Sequence, residues 1–163
     1  MSIPNRLSPF PITNILNNHI MNNSIYTDVA EWLAEIVKPR KQLNGLSICP
    51  YAEKGSWEVI CDQDVDVKLC TQDVTIFVLP RQMSKKKMEQ YAQQLKQKHH
   101  TYVFLPDHKD ANTRIKNVAT GNGKHNLMLV QKRKKLDTAR RVLEKRSYYD
   151  YMDAEYKKKL FDY

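Results

Sequence analysis

Val74-Thr75-Ile76-Phe77-Val78-Leu79-Pro80 decides the fold: it is an uncharged run of apolar and β-branched residues closed by a proline. A near-continuous apolar run of this length reads as a strand buried on both faces, and the missing N–H of Pro80 ends it. Just beyond, Ser84 can cap a helix in which Met88, Tyr91, Ala92 and Leu95 share one face. Lys85, Lys86, Lys87, Lys96 and Lys98 fall on the opposite, watered side. The run Thr101-Tyr102-Val103-Phe104-Leu105 then predicts a second strand. Strand, helix and strand in succession predict a right-handed crossover with the two strands parallel.

Upstream, Trp57 to Cys61 reads as another strand, and Asp62, Asp64 and Asp66 between the two runs read as a polar connection rather than a metal loop. Downstream, Leu127-Met128-Leu129-Val130 is either a short strand or the first turns of a helix, because so short an apolar run has no readable period. From about Leu136 a helix carries a stripe through Val142, Tyr149, Met152, Tyr156 and Leu160. Near the start, Val29, Trp32, Leu33, Ile36 and Val37 keep helical spacing, with Asp28 and Glu31 as a capping pair and Pro39 as the stop. Residues 1–23, with Pro4, Pro9, Pro11 and paired asparagines, read as a flexible arm. The expectation is one α/β domain over residues 24–163: a small mixed sheet of three to five strands with helices packed on it and a long C-terminal helix.

Hydrophobic residues make up 41 % of the 163, enough for one core, while the negative mean hydropathy describes a polar surface. No apolar run approaches the roughly 20 residues that span a bilayer, so no membrane partner is expected. No secretory signal is readable, and three cysteines without paired spacing fit reduced thiols and a cytoplasmic location. The net charge of +9 is concentrated. Between 124 and 146, Lys124, Lys132, Arg133, Lys134, Lys135, Arg140, Arg141, Lys145 and Arg146 face only Asp137 and Glu144. Such a segment suits a polyanion through phosphate neutralisation, or is simply a solvated helix face.

The segment Leu46-Ser47-Ile48-Cys49-Pro50-Tyr51-Ala52 sets a lone cysteine in an apolar run with proline behind it. A dithiol oxidoreductase would need a second cysteine where Ala52 stands and a strand, not a helix, ahead of the motif. A haem thiolate would need a second ligand that the sequence does not offer. His99, His100 and His108 lack zinc spacing with any cysteine, so no metal is expected, and no cofactor is indicated. Gly121-Asn122-Gly123-Lys124 lacks phosphate-loop spacing and reads as a turn. The long polar stretch 106–126 is of the kind that carries function. Its Asp107, His108, Asn122 and His125 are the residue types that would deprotonate and orient a thiol, making Cys49 a candidate nucleophile; alternatively, Cys49 is a small core hydrophobe.

Trp32-Leu33-Ala34-Glu35-Ile36-Val37, Leu46, Cys49-Pro50-Tyr51-Ala52, Phe104-Leu105-Pro106-Asp107-His108, and Asn122 with Leu127-Met128-Leu129-Val130 together resemble an uncharacterised bacterial family, domain of unknown function 1415. The likeness covers roughly residues 28–143. Leu105 stands where the family has histidine, and Gly123-Lys124-His125 where it has Arg-Ser-Pro. The resemblance implies a site at Cys49, Asp107 and Asn122 and no particular reaction. Two functions follow as expectations. One is a Cys49-centred pocket for an unknown small molecule or thiol-dependent reaction, using Cys49, Asp107, His108, Asn122 and His125. The other is non-catalytic nucleic-acid binding through Lys132, Arg133, Lys134, Lys135, Arg140 and Arg141, with Tyr148, Tyr149 and Tyr151 available for stacking.

Overall fold

In this computed structural model residues 20–152 and 154–161 are described, so most of the 1–23 arm lies outside the described residues. The chain runs α1 (Ile20–Ile36), α2 (Pro50–Lys54), β1 (Trp57–Ile60), β2 (Val74–Val78), α3 (Lys85–Lys98), β3 (Tyr102–Asp107), β4 (Arg114–Ile115), β5 (Val118–Ala119), β6 (Leu127–Lys132), α4 (Arg133–Lys145) and α5 (Ala154–Phe161). A four-stranded mixed sheet is ordered β1-β2-β6-β3, and β4 and β5 form a separate hairpin.

β1 and β2 pair in parallel, their connection over 61–73 giving the dozen or so residues a parallel return needs. β2 and β3 run in the same direction, yet they do not pair. The 127–132 run resolves as strand β6, inserts between them and pairs antiparallel with both. Its own composition explains the place: Leu127, Met128 and Val130 are at most 1 % exposed, and only an interior strand buries both its faces.

Alternation along the strands divides the core. Ile60, Phe77, Phe104, Met128 and Val130 meet Met88, Ala92 and Leu95 of α3 on one face. Val59, Val74, Ile76 and Leu127 meet Val29, Leu33 and Ile36 of α1 on the other. The Ser84 hydroxyl caps α3 by accepting from Lys87 N at 3.3 Å, as its spacing predicts.

Three local expectations change. α1 starts at Ile20, so Asp28 is an interior helical residue and not a cap. The stretch 106–126 is not all loop, because Lys116 and Asn117 both take positive φ and close the β4–β5 hairpin as a two-residue turn. The C-terminal helix is α4; at Ser147 (φ 57°) the backbone turns left-handed, and a 3-10 turn over Tyr148–Tyr151 precedes α5. No helix among the described residues is long and apolar enough to cross a membrane.

Candidate functional site

The Cys49 segment is held by the end of α1. After Pro39 the chain doubles back through a bridge between Arg40 and Leu46, with Asn44 (φ 57°) and Gly45 (φ 81°) in the left-handed region that makes so tight a return possible. Buried Leu43 anchors the loop, and Cys49 N donates to Ile36 O at 3.2 Å. On the other side Tyr148 donates its hydroxyl to the carbonyl of Ile48. Cys49 is therefore pinned between α1 and the turn that follows α4, half-buried and not sealed in the core.

From that position Cys49 lines a cavity of about 470 Å³ that is walled from both sides of the sheet, with Lys85, Met88, Glu89 and Lys96 of α3 in its lining as well as residues of α1. Trp32 and Ile36 of α1, Leu129 of β6, and Leu136 and Leu143 of α4 form apolar walls, with Tyr148 and Tyr149 packed edge-on at 5.1 Å. Asp107 and His108 stand in the same wall at the end of β3. The Trp32 indole donates to Thr120 O at 3.0 Å and fastens the 108–126 stretch to α1.

Asp107 is the most organised group there. Its Oδ2 accepts from Asn122 N at 2.9 Å and Asn122 Nδ2 at 2.6 Å, but burial outweighs these bonds and raises its carboxyl above the usual range. Gly121 permits this approach, since a Cβ there would lie 3.1 Å from Asp107 Oδ1 and 3.3 Å from Ala111 O. Asn122 also accepts from Lys124 N at 3.0 Å and His125 N at 2.6 Å and donates to His125 O at 2.8 Å. Asn122 thus supports Asp107 from behind without facing the cavity.

Neither histidine is free to serve Cys49. His108 Nδ1 accepts from Asp110 N at 3.1 Å, leaving Nε2 to donate to Met83 O at 3.1 Å, so both ring nitrogens are committed to backbone. His125 Nε2 sits 2.8 Å from Asp28 Oδ2, and Lys124 Nζ is 2.6 Å from Asp28 Oδ1. These bonds hold the Asp28 carboxyl below its usual range, Lys124 contributing first and His125 second.

The basic segment divides as the helix turns. Arg140, grouped by sequence with the exposed cations, is 6 % exposed and lines the cavity, because it falls on the α4 face shared by Leu136 and Leu143. Arg133 Nε donates to His100 O at 2.7 Å, and Lys135 pairs with Asp73 at 2.5 Å. Lys132, Lys134 and Arg141 are exposed, and Lys145 continues the row. Tyr148 and Tyr149 are buried at 3 % and 6 % exposure, so they are cavity wall rather than stacking platforms; the Tyr151 side chain lies outside the description.

Two site residues escape the sequence reading. Asn126, 1 % exposed, donates through Nδ2 to Pro80 O, Arg81 O and Met83 O and accepts from Lys109 N, clamping the end of β2 to that of β3. Gln131, 5 % exposed, lines the cavity with Oε1 lacking a hydrogen-bond partner. Its signal is readable in retrospect, since Leu127, Leu129 and Gln131 alternate onto one face of β6.

Among the described residues no group of three or more His, Cys, Asp or Glu converges as metal ligands, and no disulfide joins Cys49, Cys61 or Cys70. No family model, no curated protein and no solved structure matches this chain.

Proposed function

We infer that this chain binds a small organic molecule in the 470 Å³ cavity and carries out a thiol-dependent reaction on it at Cys49. One observation carries the reading: Cys49 and Asp107, distant in sequence, line the same largely apolar cavity, whose size suits a small ligand. The roles follow from the groups. The Cys49 thiolate forms a bond to an electrophilic carbon of the ligand, the π bond at that carbon breaks, and its electron pair moves to the attached heteroatom. Asp107, whose burial favours the protonated carboxyl, gives its proton to that heteroatom and is left as carboxylate. Asn122 orients Asp107, while His108 and His125 hold the loop. The likeness to domain of unknown function 1415 is proposed as kinship on the same ground, since Cys49, Asp107 and Asn122 sit in or directly behind the cavity wall.

Competitive alkylation of the native protein with iodoacetamide, followed by peptide mapping, tests this. Cys49 is expected to be carbamidomethylated well before Cys61 and Cys70. Equal or slower labelling at Cys49 returns it to the core and removes the reaction.

A second reading, nucleic-acid contact, is favoured by one observation: Lys134, Arg141 and Lys145 recur on the outer side of α4. Filter binding at two salt concentrations, with these three neutralised together, decides it.

A further inference from the structure

The cavity has a second polar end, remote from Asp107. In the β3–β6 register Asp107 lies opposite Leu127 and Val103 opposite Gln131, so Gln131 stands four residues along β6 from the Asp107 level, about 13 Å at strand rise. The wall there carries Gln131, whose buried Oε1 lacks a donor, and the buried guanidinium of Arg140, two turns into α4, lines the same cavity. Between the two levels the strands present Leu105 and Leu129, Trp32 and Ile36 add apolar wall, and the charged Lys85, Glu89 and Lys96 of α3 also line the cavity.

The geometry points to a carboxylate ligand with an N–H or O–H close to its acid group: the carboxylate lies against Arg140, the adjacent donor meets Gln131 Oε1, and an apolar body runs toward Cys49 and Asp107. A buried acceptor without a donor is costly, and a ligand donor offsets that cost when the site fills. A guanidinium presents five N–H donors in a rigid fork, so Arg140 can keep its protein contact and still receive a carboxylate at Nη1, which is buried without a hydrogen bond. An apolar molecule without an acid and its neighbouring donor would leave Gln131 Oε1 unmet, so the site selects against it. The inference rests on the cavity being a ligand site, as proposed above, but not on the chemistry at Cys49.

Two fluorescent probes test it with the full chain. Dansyl-leucine offers a carboxylate, a neighbouring sulfonamide N–H and an apolar body; dansyl-leucinamide is the same molecule without the acid. Dansyl-leucine is expected to bind with a rise in emission, and the amide at least tenfold more weakly. Arg140→Lys, which keeps the charge and stem but loses the fork, should weaken dansyl-leucine about tenfold. Gln131→Met should weaken it about fivefold while raising Tm, a pairing that a merely structural glutamine would not give. Equal binding of acid and amide, affinities within twofold of wild type in both variants, or no binding of either probe overturns the inference. Iodoacetamide labelling in the same samples separates the two claims. Slow labelling at Cys49 with acid-dependent probe binding removes the thiol reaction alone, whereas rapid labelling without probe binding removes only the carboxylate site.

Discussion

At the residue level the three cysteines differ in what surrounds the sulfur. Burial pushes Cys61 to about 11, with Asp62 adding to it, and burial likewise pushes Cys70 to about 11. At pH 8 each is then thiolate in roughly one molecule per thousand, so both should resist alkylation until the pH nears 11 or the chain is unfolded. A labelling series from pH 7 to 11, repeated in denaturant, measures this; early loss of either thiol in the folded protein contradicts it. Two carboxyls predict opposite pH trends. Asp28 has its folded value lowered from 3.8, so its pairing stabilises the fold above that pH and the benefit is lost as pH falls. Asp28→Asn should therefore unfold more easily than wild type at neutral pH, with the gap closing in acid. Asp107 has its value raised from 3.8, so stability present below that pH is lost as pH rises through the folded value. Asp107→Asn should gain stability over wild type at neutral pH and none in acid, even as it removes the proposed proton donor. Thermal melts across pH 3–8 read both, and parallel curves for the two variants would contradict the assignments.

Among the elements, β2, α3 and β3 were legible because each carries its own period and punctuation: an apolar run closed by Pro80, a Ser84 cap, and an α3 face of Met88, Ala92 and Leu95 set apart from most of its lysines. β6 was not, because four apolar residues fit strand or helix equally, and what makes 127–132 a strand is two partners remote in sequence. The same limit explains Asp28, which looks like a cap until the fold brings Lys124 and His125 to it. Arg140 was misplaced for a different reason: charge was counted along the chain, while helical phase puts this one arginine on the Leu136–Leu143 face. Cys49, Asp107 and Asn122 were grouped through a resemblance, and the fold puts Cys49 and Asp107 in one cavity wall with Asn122 bonded to Asp107, but the histidines' commitment to Met83, Asp110 and Asp28 depends on tertiary contacts that no spacing encodes. The clamp at Asn126 gives an element-level prediction. Asn126→Ala strips the carbonyl of Arg81 and the N–H of Lys109 of their bonds, while Pro80 O keeps Met83 N and Met83 O keeps His108, and should cost about 2 kcal/mol by urea unfolding. Ser84→Ala should cost only about 1 kcal/mol, as one cap does. Equal costs would mean the clamp is no more than a loop contact.

For the whole molecule the two faces of α4 separate the two functions. Its inner face closes the cavity with Leu136, Arg140 and Leu143, and its outer face carries Lys134, Arg141 and Lys145. A polyanion engaging only the outer row should show a log–log salt slope of about three, nearly one for each phosphate neutralised, and little base preference. Neutralising that row should leave alkylation at Cys49 unchanged, because the cavity lies on the opposite side of the helix; a slowed reaction would couple the surface to the site. The Cys49 sulfur opens into the same cavity as Asp107, Gln131 and Arg140. Amide and indole NMR shifts before and after forming the N-ethylmaleimide adduct at Cys49 test it most directly. Perturbations are expected at the Trp32 indole, Leu105, Asp107, Leu129, Gln131 and Tyr149, with Lys86, Gln90 and Gln93 on the outer side of α3 silent; shifts confined to residues 47–55, or equally large at Lys86, Gln90 and Gln93, would contradict it.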